Sequence, residues 1–507
     1  MKPLCISLLV FFAHQVMDAQ VTYAKLALQY GAYQVGFRHY TKVDNTRTYE
    51  KMYEWNNEVV GRPIPISLWF PSNRPTKKSR LIIQNYMTVL KEEEEWEQLP
   101  DERILDWFYY SNSAQNKIHL KEGVKAFGNT TPIPRKFPVV IYAPSYQASS
   151  VENFALCELL ASHGYVVIGS PGRGTDTRFM DGATTRDIET QARDIQFLIG
   201  EISGKPYADA NRIAVIGFSF GGISNVLAQM MDRRIKAVVC LDGAIKYQFE
   251  KLVASPYFNI SKFNVPFIFM SQKDIPLKVL AQDNIDTAIN SKFEFYDSLK
   301  YSKGYSLKWN DLTHAYFSSM GVLFQDRDPR QDKSDSAIMN SYRWVDIYTL
   351  NFLNAFLNKD KQALRFLENK PEANGVAGNT IERASKEPQS GQFRFEDFNL
   401  LAIKQGYQKL NELYSSIKKD HPTFKPEEWK LNNLGLSLLF KHKLREGIQV
   451  LILSTILFPE SANTYDSLAE GYLITGDKRK AAENFRKSLG LNADNQNAID
   501  RLKQLGQ

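Results

Sequence analysis

The stretch Ile213-Ala214-Val215-Ile216-Gly217-Phe218-Ser219-Phe220-Gly221-Gly222 decides the fold. Ile213 to Ile216 is an unbroken apolar run of strand length, and Ile223 to Met231 carries apolar residues at helical spacing. Between them Gly217-Phe218-Ser219-Phe220-Gly221 matches G-x-S-x-G. Strand, tight turn and helix form the context in which this pattern carries chemistry. The turn leaves no room for side chains at its flanks, so glycine stands there. The serine hydroxyl is lifted above the sheet and set at a helix N-terminus, where the dipole favours negative charge. Ser219 is therefore the candidate nucleophile.

Outward from this turn the chain alternates strand and helix. Val139–Ala143, Tyr165–Gly169, Ile235–Leu241 and Val265–Met270 read as short buried strands, and Gly304–Trp309 as a last, more polar one. Val151–Ser162, Thr184–Ile202 and Ser334–Leu357 read as helices. Such alternation predicts an α/β domain with a mostly parallel sheet covered on both faces. Two further strands are expected upstream, at 33–44 and 64–70, the second stopped by Pro71. Residues 80–120 are helical and charged, with an acidic run at Glu92–Glu95. They read as an insertion with a solvated helix face, with the shaping of a substrate cleft as the alternative.

A serine hydroxyl needs a base within hydrogen-bond reach. In a fold of this kind the triad runs Ser, acid, His along the chain. Of seven histidines, His314 alone lies after Ser219 and before the Gly-rich segment near residue 375, just past the last polar strand. It is the candidate base. Two acids follow strand ends: Asp242 after Leu241, and Asp274 after Met270. The acid must hold the imidazole in one tautomer and stabilise its cation, so it should be shielded. Asp242 follows a strongly apolar strand, whereas Asp274 has Lys273 beside it. Asp242 is favoured and Asp274 is the alternative.

Residues 34–357 resemble the platelet-activating-factor acetylhydrolase-like branch of the α/β-hydrolases, close to the dienelactone-hydrolase-like enzymes. The resemblance is carried by Phe137-Pro-Val-Val-Ile-Tyr-Ala-Pro-Ser145, Leu160-Ala-Ser-His-Gly-Tyr165, Arg212–Gly222 and Leu241-Asp-Gly243. It implies an acid after the strand that follows the nucleophile helix, which is Asp242. It also implies an oxyanion hole made by the backbone N–H groups of Phe220 and Tyr146. Two positions depart from the family pattern: Pro144-Ser145 replaces His-Gly in the oxyanion loop, and Phe218 replaces the His before the nucleophile.

Beyond the hydrolase-like region, residues 361–395 are polar and Gly-rich and read as a linker. Residues 396–507 are purely helical in pattern. Two segments match at a shift of 34 residues, with Leu434-Gly435 answering Leu468-Ala469, Leu438 answering Tyr472, Gly447 answering Ala481 and Leu451 answering Phe485. The region resembles tetratricopeptide repeats, which stack helix pairs into a concave surface suited to a peptide or protein partner.

At 507 residues the chain is long enough for two or three domains. A net charge of +7 is mild for this length and points to neither nucleic acid nor an anionic membrane surface. Met1-Lys2, the apolar run Leu4–Ala13 and a small residue at Ala19 read as a secretory signal over residues 1–19. The hydrolase domain is then expected over 20–360 in a secreted or periplasmic protein. No later stretch is long and apolar enough for a membrane span. Cys157 and Cys240 are expected as buried free thiols. No cluster has metal-ligand spacing and no Gly-rich loop cradles a phosphate, so neither metal nor cofactor is expected. The expected activity is hydrolysis of short-chain or lipid-like carboxylic esters through an acyl-enzyme on Ser219. A serine peptidase, a dienelactone-type hydrolase, and a non-catalytic scaffold acting through the repeats are the alternatives.

Overall fold

The computed structural model describes residues 21–51, 59–73, 80–282, 285–324, 328–389 and 393–506, which divide into two units at Gln389/Ser390. The signal-like segment 1–19 lies outside the described residues.

The first unit is built on one eleven-stranded sheet. Its strands are β1 (Gln34–Glu50), β2 (Val59–Ser72), β3 (Arg80–Ile82), β4 (Gly123–Gly128), β5 (Phe137–Ala143) and β6 (Val166–Gly169). They continue with β7 (Ala208–Phe218), β8 (Ile235–Leu241), β9 (Phe267–Ser271), β10 (Gly304–Trp309) and β11 (Ile381–Lys386). The order across the sheet is β11-β10-β9-β8-β7-β5-β6-β2-β1-β4-β3. From β6 to β10 every neighbouring pair is parallel. Antiparallel β2 joins β6 on one side and antiparallel β11 joins β10 on the other.

The central strands are apolar without alternation because both faces are covered. Val140 and Tyr142 of β5 pack into the core beneath the helices Phe154–Ser162 and Asp335–Leu357, which contribute Leu160, Tyr342, Val345 and Phe352. Val139, Ile141 and Ala143 point the other way, toward Ile188, Ile195 and Ile199 of Thr185–Ser203 and Ile223, Val226 and Leu227 of Phe220–Met231. Three of the four helices start where sequence chemistry puts a stop: Thr184 and Ser334 cap the N-termini of theirs with side-chain oxygens, and Ser219 itself precedes Phe220. This arrangement is the α/β-hydrolase fold.

Two expectations are corrected. The linker expected over 361–395 is not one over 361–389: Lys361–Glu368 is a helix, and β11 pairs with β10 from Gly304–Lys386 to Trp309–Ile381. The segment is anchored by Ala363, Leu367, Val376 and Ile381, all buried. Those anchors are widely spaced, and β11 buries only one of its six residues, so composition alone makes it look solvated. The first unit accordingly extends past residue 360 to Gln389.

The insertion at 80–120 is not a solvated helix either. Helix Ile83–Glu93 buries Ile83, Tyr86, Met87, Val89 and Leu90. Of the acidic run, Glu93 is buried, and Glu94 and Glu95 pair with Arg178 and Arg173.

The second unit is all-helical over Phe395–Gln504. Helices Glu428–Phe440 and Ala462–Ile474 begin 34 residues apart, as do Leu444–Leu457 and Lys478–Leu491. Leu439, Leu451 and Leu468 form a shared core between these pairs.

Candidate active site

The turn after β7 does what its sequence requires. Ser219 sits at φ 50° and ψ −117°, a region that L-residues rarely occupy. It is held there from both sides. Ser219 N–H donates to Leu241 O at 3.0 Å, and Ser219 O accepts from Ala244 N–H at 2.7 Å. A Cβ on Gly217 would lie 2.2 Å from Gly221 O, and one on Gly221 would lie 2.1 Å from Ala143 O. Glycine at both positions is therefore steric necessity. The second contact also presses the start of the helix against the end of β5, where the expected oxyanion loop begins.

The structure brings Ser219, His314 and Asp242 together. Ser219 Oγ lies 2.9 Å from His314 Nε2, and His314 Nδ1 lies 2.5 Å from Asp242 Oδ2. A carboxylate at Nδ1 fixes the proton on that nitrogen, leaving Nε2 free to accept from the serine hydroxyl. Asp242 is fully buried, so its charge acts on the imidazole in a low-dielectric setting. Its other oxygen, Oδ1, accepts from Tyr247 Oη–H and Gln272 N–H, each at 3.1 Å. Burial beside this carboxylate raises the Tyr247 hydroxyl well above its usual range, so it stays a donor. The Phe218 ring lies 5.1 Å from the His314 ring and supports it from the side.

Asp274 is placed differently. Its carboxylate is exposed and pairs with Lys308 at 3.2 Å, and it makes no contact with His314. The alternative acid is thereby set aside: β9 ends one strand further along the sheet than β8, and its loop turns outward to the charged edge at β10.

The expected oxyanion loop, Pro144–Ser149, is braced at several points. Gln191 Nε2 donates to Pro144 O at 3.1 Å, and Gly172 N–H donates to Ala148 O at 2.9 Å. Tyr146 Oη donates to Met180 O at 3.1 Å and accepts from Gly182 N–H at 3.0 Å, while its ring meets Phe220 edge-on at 5.9 Å. Phe220 opens its helix, so its N–H has no carbonyl a turn behind it. The Gly172-Arg173-Gly174 turn buttresses this loop: Gly172 lies against Ser145 O, and Arg173 is buried on Tyr49, Glu95 and the carbonyl of Glu93.

Glu152 was not legible as a functional residue in the sequence. Its carboxylate accepts from Ser145 N–H at 2.9 Å and Ser145 Oγ–H at 2.5 Å, and from Tyr142 Oη–H at 3.4 Å. Burial raises it above the usual carboxylate range, while the Ser145 bonds and the charge of His314 act against that rise. It lies seven residues past the Ser145 that it holds, in the turn before a helix, where an acid reads as a cap.

Cys157 and Cys240 are both buried and free. Among the described residues no group of His, Cys, Asp and Glu could hold a metal ion, and no helix is long and apolar enough to cross a membrane.

A strained serine at a strand-to-helix turn, a histidine on its hydroxyl and a buried aspartate behind the histidine define a serine hydrolase of the α/β-hydrolase type. The family comparison agrees at that level. The model of the prolyl oligopeptidase family, Peptidase_S9, matches residues 152–264, a stretch that contains Ser219 and Asp242. Dipeptidyl-peptidase 5 of Porphyromonas gingivalis is 28% identical over 127 residues, 23% of this chain. The match spans 18% of that relative's length. A ferulic acid esterase from Streptomyces cinnamoneus, solved at 2.4 Å, superposes with a TM-score of 0.47 at 18% identity, over 70% of this chain and 97% of that one.

Proposed function

We propose that the protein is a serine esterase cleaving carboxylic esters, akin to the platelet-activating-factor acetylhydrolase-like enzymes. The observation that supports it best is the unbroken line from Ser219 Oγ through both ring nitrogens of His314 to Asp242. In the first half-reaction His314 Nε2 takes the hydroxyl proton as Ser219 Oγ attacks the ester carbonyl. The oxyanion that forms is met by the N–H groups of Phe220 and Tyr146, which bind it more strongly than the ground-state carbonyl. Asp242 stabilises the imidazolium. His314 then returns the proton to the departing alcohol, leaving an acyl group on Ser219. In the second half, His314 draws a proton from water, water attacks the acyl-enzyme, and the acid leaves with Ser219 restored.

A second reading has its own support: the family match at 152–264 and the resemblance to a dipeptidyl-peptidase favour a peptide bond as substrate. The two are separated by paired substrates. Hydrolysis of 4-nitrophenyl esters with no release from matched aminoacyl and dipeptidyl 4-nitroanilides supports the esterase; the reverse supports the peptidase. The protein is further proposed to be exported by its N-terminal segment. Its second unit is proposed to be a tetratricopeptide-like repeat, on the 34-residue spacing of helix starts, presenting a surface to a protein or peptide.

A further inference from the structure

A cavity of about 700 Å³ lies between the insertion at 80–120 and the oxyanion loop. Trp96, Trp107, Tyr109 and Phe179 face it on one side, and Gln147 and Glu152 on the other. It reaches the expected oxyanion loop at Gln147, Ala148 and Ser149. Glu152 lines the cavity and also holds Ser145, the neighbour of Tyr146. Met320 lines it too, six residues past His314, and its N–H donates to Glu152 O at 3.1 Å.

Three of the rings are left open to solvent around this one space. Trp107 is 47% exposed, Phe179 42% and Tyr109 96%. Tyr109 is held at φ 60°, a left-handed conformation unfavourable for a bulky residue. A cluster of exposed aromatic side chains on a rigid wall marks a binding site rather than ordinary surface. Three of the four rings are braced by neighbours. Trp96 and Trp107 meet edge-on at 5.0 Å, and the Arg178 guanidinium lies over Phe179 at 4.3 Å and over Trp96 at 5.6 Å. Arg178 also donates to Glu94 O at 2.8 Å and pairs with the Glu94 carboxylate, which cancels its charge. The acidic side chains left facing the cavity are Asp106 and Glu152, with no unpaired basic one beside them among its lining residues.

We propose that this cavity binds an uncharged aromatic group of the substrate, one ring or two, stacked against Trp107 and Phe179. The assignment rests on the ester reading above and narrows it. A short alkyl chain would leave most of the space and the three exposed rings uncovered. An arene covers them with offset or edge-to-face contacts. An anionic group would meet the Asp106 carboxylate and the carboxyl group of Glu152, while the one cation of the lining, Arg178, is already paired with Glu94.

The test is calorimetric and uses the full-length chain with uncleavable probes: 3-phenylpropanamide, butanamide and 3-phenylpropanoate. The neutral aryl amide is expected to bind at least about tenfold more tightly than butanamide, because it buries a ring that butanamide lacks, and the anionic acid to bind more weakly than the aryl amide. Trp107→Ala and Phe179→Ala should each remove most of the difference between the two amides; Tyr257→Ala, an exposed ring elsewhere in the unit, should preserve it. Equal binding of the two amides, tighter binding of the acid, or a preference surviving in both cavity variants would overturn the proposal. Turnover of 4-nitrophenyl butanoate and 4-nitrophenyl 3-phenylpropanoate separates it from the ester reading. If esters are hydrolysed and the aryl amide does not bind, the cavity assignment falls alone. If the aryl amide binds and neither ester is hydrolysed, the ester reading falls and the aromatic site remains.

Discussion

Replacing Glu93 with glutamine should make the protein more stable above neutral pH and leave it little changed below pH 5. Glu93 ends helix Ile83–Glu93 in the insertion and is buried. Its carboxyl accepts from Ser149 Oγ–H at 2.5 Å, from Ser150 N–H at 3.1 Å and from Ser150 Oγ–H. Ser150 Oγ–H also lies 2.7 Å from Ser67 Oγ, which contacts His39 Nδ1 at 3.0 Å. The carboxyl thus ties the insertion to the segment that follows the oxyanion loop. Burial pushes its pKa from 4.5 up to about 7, against the hydroxyl bonds and the charge of Arg173.

The sign follows from the proton balance. The folded chain keeps the Glu93 proton to about pH 7, whereas the unfolded chain releases it near 4.5. The contribution is fully present below about 4.5 and is lost as pH rises through 7, in total about 3 kcal/mol. His39 works in the opposite direction. Its folded pKa is lowered to about 4 by burial and by Arg173, so its contribution is present above about 6.5 and lost as pH falls toward 4. Subtracting the variant from the parent removes the His39 part. Urea titrations followed by tryptophan fluorescence should show Glu93→Gln gaining up to about 3 kcal/mol at pH 8.5 relative to its difference at pH 5. Parallel stability curves for parent and variant from pH 5 to 8.5 would refute the reasoning.

The remaining predictions concern the site. Asp242→Asn should lower kcat about 10³- to 10⁴-fold, because the wrong tautomer is presented to Ser219, whereas Asp274→Asn, at the exposed Lys308 pair, should keep kcat/KM within about twofold; steady-state kinetics on one ester compares them. Ser219→Gly should be more stable than Ser219→Ala by about 1 kcal/mol, since glycine tolerates φ 50° and alanine does not; thermal denaturation of the two inactive variants reads the difference. Glu152→Ala should lower kcat about 10- to 100-fold with little change in KM, because the oxyanion loop loses its hold at Ser145. Glu152→Gln, which keeps an acceptor for Ser145 N–H, should recover much of that loss in the same assay.

The catalytic half of the site was largely legible in the sequence, and for physical reasons. The run Ile213–Ile216 can only be a buried strand beside Gly217, and a serine between two obligatory glycines leaves one backbone solution. His314 was reached by chain order and elimination. What was not legible depends on tertiary contacts. Asp242 and Asp274 are both strand-end aspartates; the apolar strand before Asp242 and Lys273 beside Asp274 already favour Asp242, and the sheet order supplies the reason, since β8 lies beside β7 while Asp274 reaches the Lys308 edge. Glu93 sits within four consecutive glutamates that look solvated, yet the helix turns it inward onto two serines. β11 shows an edge strand's polar pattern around its one buried residue, Ile381, and Val376 is buried just before it. Glu152 acts through Ser145 and leaves no motif.

The account's central claim is that Ser219 is a nucleophile activated by His314. Intact-protein mass spectrometry after treatment with a fluorophosphonate tests it most directly, with Ser219→Ala and His314→Ala alongside the parent. The account predicts one adduct on the parent, mapped to Ser219, none on Ser219→Ala, and labelling slowed at least about a hundredfold in His314→Ala. A folded parent that takes no label, or a Ser219→Ala protein that takes as much as the parent, would contradict it.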